Sequence, residues 1–202
     1  MKLKKKYLNY GFFVFIILVV LFFYLKNVNK PYYPDIYTPR PVLGNESARI
    51  TITEFSDLQC PACKAAHPTV NRIMEEFKND VKLEYMHFPL PMHQYAFKAA
   101  EAAECANDQG KFWEFVDKVH ASSDDPTPRK LKNYAKELSL DMKNFSNCLD
   151  SSAKASYVAR DVREAKNMGV DATPTFFING EKLSNWRYDI FKQKIMEEIA
   201  KK

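Results

Sequence analysis

Two cysteines three residues apart, Cys60-Pro61-Ala62-Cys63, constrain this 202-residue chain more than any other feature. They follow an alternating apolar run, Ile50-Thr51-Ile52-Thr53-Glu54-Phe55, and precede a helical pattern. That layout places a dithiol on the first turn of a helix. A helix N-terminus presents unpaired amide N–H groups and a partial positive charge, which favour a thiolate over a thiol. The thiolate is the form that attacks a disulfide. A second cysteine one turn on can close a ring and release whatever was attacked.

The N-terminus bears on compartment. Lys2, Lys4, Lys5 and Lys6 precede an uncharged stretch from Tyr7 to Leu25, which as a helix spans roughly 28 Å at about 1.5 Å per residue. That length matches a bilayer core. A cleaved signal peptide needs small residues at its cleavage site, and Phe22-Phe23-Tyr24-Leu25-Lys26-Asn27 offers none. The expectation is a single uncleaved transmembrane anchor over residues 1–25, with cytoplasmic lysines and the rest of the chain outside. Residues 26–44 contain Pro31, Pro34, Pro39 and Pro41 and read as an extended tether. Residues 45–202 are expected to form one domain.

Charge excludes one class of function. The chain carries 30 Lys and Arg against 25 Asp and Glu, but six lysines and no acid fall in residues 1–30. The remainder is close to neutral, so no nucleic-acid surface is expected.

The soluble part reads as strand, helix, strand: 49–55 alternates, 60–78 has an apolar helical face, and 81–88 alternates again. This is a parallel crossover unit. From about 92 to 168 the period is helical throughout, with the Phe112 to Val119 stripe as core. Strand character returns at Thr175-Phe176-Phe177-Ile178. Asn179-Gly180 signals a hairpin, with 181–183 pairing back, and 188–202 reads as a terminal amphipathic helix. The fold class is α/β: βαβ, an all-helical insertion, then ββα.

This order, with C-x-x-C at the first helix start, resembles the thioredoxin superfamily, and the helical insertion resembles the DsbA-like group within it. The strings E-F-S-D-L-Q-C-P-A-C at 54–63, G-K-F-W-E-F at 110–115 and G-V-D-A-T-P-T-F-F-I-N-G at 169–180 look like the membrane-anchored or secreted members of that group, the BdbD type included. The resemblance covers about residues 42–200. It implies a thiol–disulfide oxidoreductase with no cofactor and no metal. Cys60, the more exposed sulfur, would attack and Cys63 would resolve. Pro61 would take the first helical position, where its missing N–H is no loss. Thr173 and Pro174 would form the cis-proline loop that holds an extended substrate, and Glu54 would be the buried acid that takes and returns the Cys63 proton through water. Glu54 also reads as an ordinary half-exposed strand acid. Cys60 and Cys63 also read as half of a zinc site with His67 as a third ligand, although no second cysteine pair has ligand spacing. His87 and His93 read as core or capping residues and Asp57 as a turn residue.

Cys105 and Cys148 both lie in the insertion. In an oxidising compartment an even cysteine count suggests pairing, and the expectation is one structural disulfide tying the two ends of the insertion. Closing such a loop stabilises by up to about 4 kcal/mol on the chain-entropy model. Two buried free thiols are the alternative.

The implied partners are unfolded or reduced secreted proteins and a quinone-linked membrane oxidoreductase of the DsbB or VKOR kind, with the chain itself a monomer. The expected activity is dithiol oxidation. Ala62 stands where DsbA has a histidine, so a reductase or isomerase on the same scaffold is the alternative. A tethered chaperone or adaptor that binds without turnover is a third reading.

Overall fold

The computed structural model describes residues 15–22 and 40–201, which fall in two separate units of the chain. In the first, residues 15–22 are helical (α1) and solvent-exposed. The expected span over 7–25 lies mostly outside the described residues. Among those described, no helix is long and apolar enough to cross a membrane.

The second unit runs β1 (Val42–Gly44), β2 (Ile50–Ser56), α2 (Pro61–Glu76), β3 (Val81–His87), α3 (Ala96–Asn107), α4 (Phe112–Ala121), α5 (Pro128–Glu137), α6 (Met142–Asp150), α7 (Ala155–Asn167), β4 (Thr175–Ile178), β5 (Glu181–Lys182) and α8 (Tyr188–Ala200). The strands form one sheet in the order β1-β3-β2-β4-β5. β2 and β3 are parallel, as a helical crossover requires, and the other pairings are antiparallel. The βαβ and ββα halves and the five-helix insertion between them follow the order read from the sequence. Asn179 and Gly180 both have positive φ, 48° and 82°, the backbone that a two-residue I′ hairpin needs.

Alternation on β2 sorts its side chains onto two faces. Ile50 and Ile52 point to one, where they pack with Ala66, Val70 and Ile73 of α2 and Phe191 and Ile195 of α8. Phe55 points to the other and packs with Phe177 of β4 and Ala165 of α7. The insertion has its own core around Phe115, Leu131, Phe145 and Leu149. Trp113 packs against both this core and the α2 side of the sheet, and so ties the insertion to the sheet. Its Nε1 donates to the Val42 carbonyl at 3.2 Å.

That bond falls on a strand in the segment expected to be tether. β1 pairs Val42 with Glu84 and Gly44 with Lys82. Gly44 has φ +92°, and a Cβ there would come within 2.9 Å of both Met74 Cε and the Val81 carbonyl, so glycine is required where the chain presses onto the sheet edge.

Cys105 of α3 is bonded to Cys148 of α6, with Cα atoms 5.9 Å apart and a sequence separation of 43. The bond closes a loop over α3 to α6 and leaves α7 outside it, rather than joining the two ends of the insertion.

Candidate functional site

The site forms where β2 ends and α2 begins. Cys60 is the N-cap of α2, with extended φ and ψ, and Pro61 opens the helix. Proline suits that position because its fixed φ is helical and its missing N–H would have no partner. The Cys60 N–H donates to the Asp57 carbonyl at 3.0 Å, and the Lys64 N–H donates to the Cys60 carbonyl at 3.1 Å. These bonds fix the Cys60 sulfur over the helix start.

The two sulfurs have different surroundings. Cys60 is 7% exposed and Cys63 is fully buried, so Cys60 is the more accessible of the pair, by a small margin. A hydrogen bond from the Cys63 thiol holds Cys60 down at about 5, well below an ordinary cysteine, and the backbone N–H groups of Cys63 and Ala62 act in the same direction. Ala62 therefore contributes through its backbone, which a reading of side chains does not register. Burial drives Cys63 the opposite way, far above the ordinary thiol range. One sulfur is thus a thiolate at neutral pH and the other keeps its proton, an asymmetry suited to thiol–disulfide exchange.

The Thr173–Pro174 peptide bond is cis, and the Thr173 carbonyl lies 3.7 Å from Cys60 Sγ. The loop before β4 therefore lies against the dithiol. Glu54 lies on the central strand, in register with Tyr85 and Phe176. It is 2% exposed, so the half-exposed alternative does not describe it. Burial raises its carboxyl to about 7. Ser56 lies two residues on from Glu54 along β2, on the same face of the strand, and its hydroxyl is buried.

His67 turns away from the cysteines. Its Nε2 lies 2.7 Å from Asp117 Oδ1 and 3.2 Å from Asn71 Nδ2. Among the described residues no group of three or more His, Cys, Asp and Glu has the geometry to hold a metal ion.

Asp57 is more than the turn residue the sequence suggests. It is buried. Its Oδ1 accepts from the Gln59 N–H at 2.7 Å and its Oδ2 from the Leu90 N–H at 2.8 Å, with His93 Nδ1 2.7 Å away. Its own N–H points at Cys63 Sγ at 3.4 Å. Asp57 thus locks the 88–93 loop to the turn that carries the dithiol. Only the contact across 33 residues shows this, and no local pattern announces it. His87 is core, as expected, and its N–H donates to Asp161 at 3.1 Å.

A dithiol at a helix start, facing a cis-proline loop across the end of a five-stranded sheet, defines a thioredoxin-fold redox protein. A thioredoxin family model matches residues 38–197. The chain belongs to that family. Among solved structures it is similar to oxidised BdbD from Bacillus subtilis, with TM-score 0.72, 29% identity, and 80% of this chain and 93% of that one covered. It is also similar to Pseudomonas aeruginosa DsbA2, with TM-score 0.68, 26% identity, and coverage of 83% and 98%. Among curated proteins, 142 residues match Na(+)/H(+) antiporter NhaA 1 of Salinispora arenicola at 40% identity. The match takes in 70% of this chain and 22% of that protein. The chain spans about a fifth of the length of the curated relatives it matches, and ion antiport is named for those longer proteins.

Proposed function

We propose that the protein is a dithiol oxidase that introduces disulfides into secreted proteins outside the cytoplasmic membrane. The observation that carries this is the depressed Cys60 thiol, at about 5. Stabilising the thiolate stabilises the reduced enzyme, and a dithiol with a stable reduced form is an oxidant. A reductase of the thioredoxin kind has a nucleophilic cysteine nearer neutrality, at about 7.

The cycle starts with Cys60 and Cys63 bonded. A client thiolate attacks Cys60 Sγ, the Cys60–Cys63 bond breaks, and its electron pair leaves on Cys63. The Cys63 environment strongly favours the protonated sulfur, so that thiolate takes up a proton at once. Glu54, half protonated near pH 7, supplies it through water. The Thr173–Pro174 loop holds the client strand against Cys60. A second client thiol then attacks the client sulfur of the mixed disulfide, and Cys60 leaves as the thiolate. The client has lost two electrons and the enzyme has gained them. They pass on when a disulfide of a quinone-linked membrane oxidoreductase, of the DsbB or VKOR kind, is reduced and the Cys60–Cys63 bond reforms. The uncharged stretch 7–25 behind four lysines supports a membrane anchor that keeps the enzyme near such a partner.

Equilibration of the reduced protein with glutathione buffers tests the direction. The expected potential lies nearer the DsbA value of about −120 mV than the thioredoxin value of about −270 mV. A potential at or below the thioredoxin value would make the protein a reductase.

A further inference from the structure

Asp57 reaches both cysteines through its main chain. Its carbonyl accepts from the Cys60 N–H at 3.0 Å, and its N–H donates to Cys63 Sγ at 3.4 Å. Its carboxylate is fully buried and engaged elsewhere. Oδ1 accepts from the Gln59 N–H and Oδ2 from the Leu90 N–H, with His93 Nδ1 2.7 Å from the same Oδ2. A carboxylate only accepts, so His93 Nδ1 is the donor in that contact. Gln59 Oε1 in turn accepts from the Tyr95 N–H at 2.7 Å, which ties the turn to the segment after β3 at a second point. Three donors from two segments therefore fix the carboxylate, and with it the direction of the Asp57 N–H.

That N–H faces a sulfur that is charged for only part of the cycle. When a thiolate attacks Cys60 Sγ, the Cys60–Cys63 bond breaks and its electron pair stays on Cys63. Before this step Cys63 is half of a disulfide, and after it a protonated thiol. In both forms its sulfur is a weak acceptor. As the bond breaks it is an anion in a fully buried site. Burial opposes that anion, and the Asp57 N–H acts the other way. A hydrogen bond to a charged acceptor is about twice as strong as one to a neutral acceptor. A donor already aimed at the sulfur therefore gains strength as charge develops, and it lowers the barrier more than it stabilises the resting disulfide. No reorganisation is needed at that moment, because the carboxylate already holds the turn in place.

We infer that Asp57 is a positioning residue for the leaving sulfur: the clamp on its carboxylate holds its N–H against Cys63 Sγ, where that N–H takes up the charge that develops as the Cys60–Cys63 bond breaks. The inference rests on thiolate attack at Cys60 in the proposed cycle. It gives the 88–93 loop, which supplies Leu90 and His93, a part in the rate of exchange.

Two reactions of the full-length protein separate this role from a structural one. Reduction of the oxidised protein by dithiothreitol expels Cys63 as the leaving group. Alkylation of Cys60 by iodoacetamide in the reduced protein expels only iodide. Asp57→Ala keeps the main-chain N–H and removes the clamp. It is expected to slow reduction about tenfold or more and to leave the alkylation rate within about threefold of wild type. An ester in place of the Ser56–Asp57 peptide bond, introduced by semisynthesis, removes the N–H and keeps the carboxylate. The same pattern is expected there, and this variant decides the matter if Asp57→Ala does not fold. Unchanged reduction in the folded variants, or equal losses in both reactions, would make Asp57 a purely structural residue and overturn the inference. Oxidised wild-type protein that dithiothreitol does not reduce would instead overturn thiol–disulfide exchange at Cys60, and the positioning role with it.

Discussion

Replacing Cys63 by alanine is expected to abolish oxidase turnover, because the Cys60–Cys63 disulfide cannot form, and to trap Cys60 as a mixed disulfide when the enzyme is presented with an oxidised client. Presented with a client disulfide, the reverse of the oxidase cycle, Cys60 attacks one sulfur and the client's other sulfur leaves as a thiolate, and no Cys63 thiol is present to attack Cys60 and release the client. The geometry makes the consequence severe. Cys63 is fully buried one turn along α2, and no other free cysteine is available among the described residues. Turnover should fall by on the order of a thousandfold or more, as for loss of a covalent catalytic group. A non-reducing gel should show a client adduct that dithiothreitol releases. Cys60→Ser should lose turnover to the same extent and form no adduct. Full function in Cys60→Ser would instead support the chaperone or adaptor reading. Cys63→Ala also removes the hydrogen bond that contributes most to the low Cys60 value, so the remaining thiol should titrate at higher pH than in the wild type.

Glu54→Gln is expected to stabilise the reduced protein above neutral pH and to leave it unchanged in acid. Burial raises the Glu54 carboxyl from 4.5 to about 7, so folding favours its protonated form. Below about pH 4.5 the group is neutral in both folded and unfolded chains and costs nothing by ionisation. As pH rises through 4.5 the unfolded chain ionises freely while the folded one resists, and stability falls until the folded group also ionises near 7. The full loss is about 3 kcal/mol, at about 1.4 kcal/mol for each pH unit separating the folded and unfolded titrations. Glutamine mimics the neutral acid at every pH and avoids that loss. Urea unfolding of the reduced proteins should give nearly equal stabilities at about pH 4 and a gap of about 3 kcal/mol at about pH 8. A gap that is the same at both pH values would mean that Glu54 ionises normally. Retaining an acid at this cost is consistent with a role in proton transfer to Cys63.

Much of this is legible in the sequence because the elements are locally consistent. The alternation at 49–55 and 81–88, the Asn-Gly hairpin and the helical period from 92 to 168 each specify one kind of element. The dithiol is legible because Pro61 and the preceding strand fix a helix start. Other features require the folded chain. β1 is three residues long and follows a proline-rich run, so it has too little alternation to register as a strand; its pairing to β3 comes from tertiary contact. Asp57 acts through the distant Leu90 and His93, and turn chemistry accounts only for its bond to Gln59. The contribution of Ala62 is made by its N–H, which every residue except proline supplies.

The most direct measurement is the pH titration of Cys60 in the reduced protein, followed by thiolate absorbance in the ultraviolet or by the rate of alkylation. A single transition near pH 5, lost in Cys60→Ser, is the predicted result. Titration of Cys60 near about 8.5, as in an unstructured peptide, would contradict the stabilised thiolate on which the oxidase assignment depends.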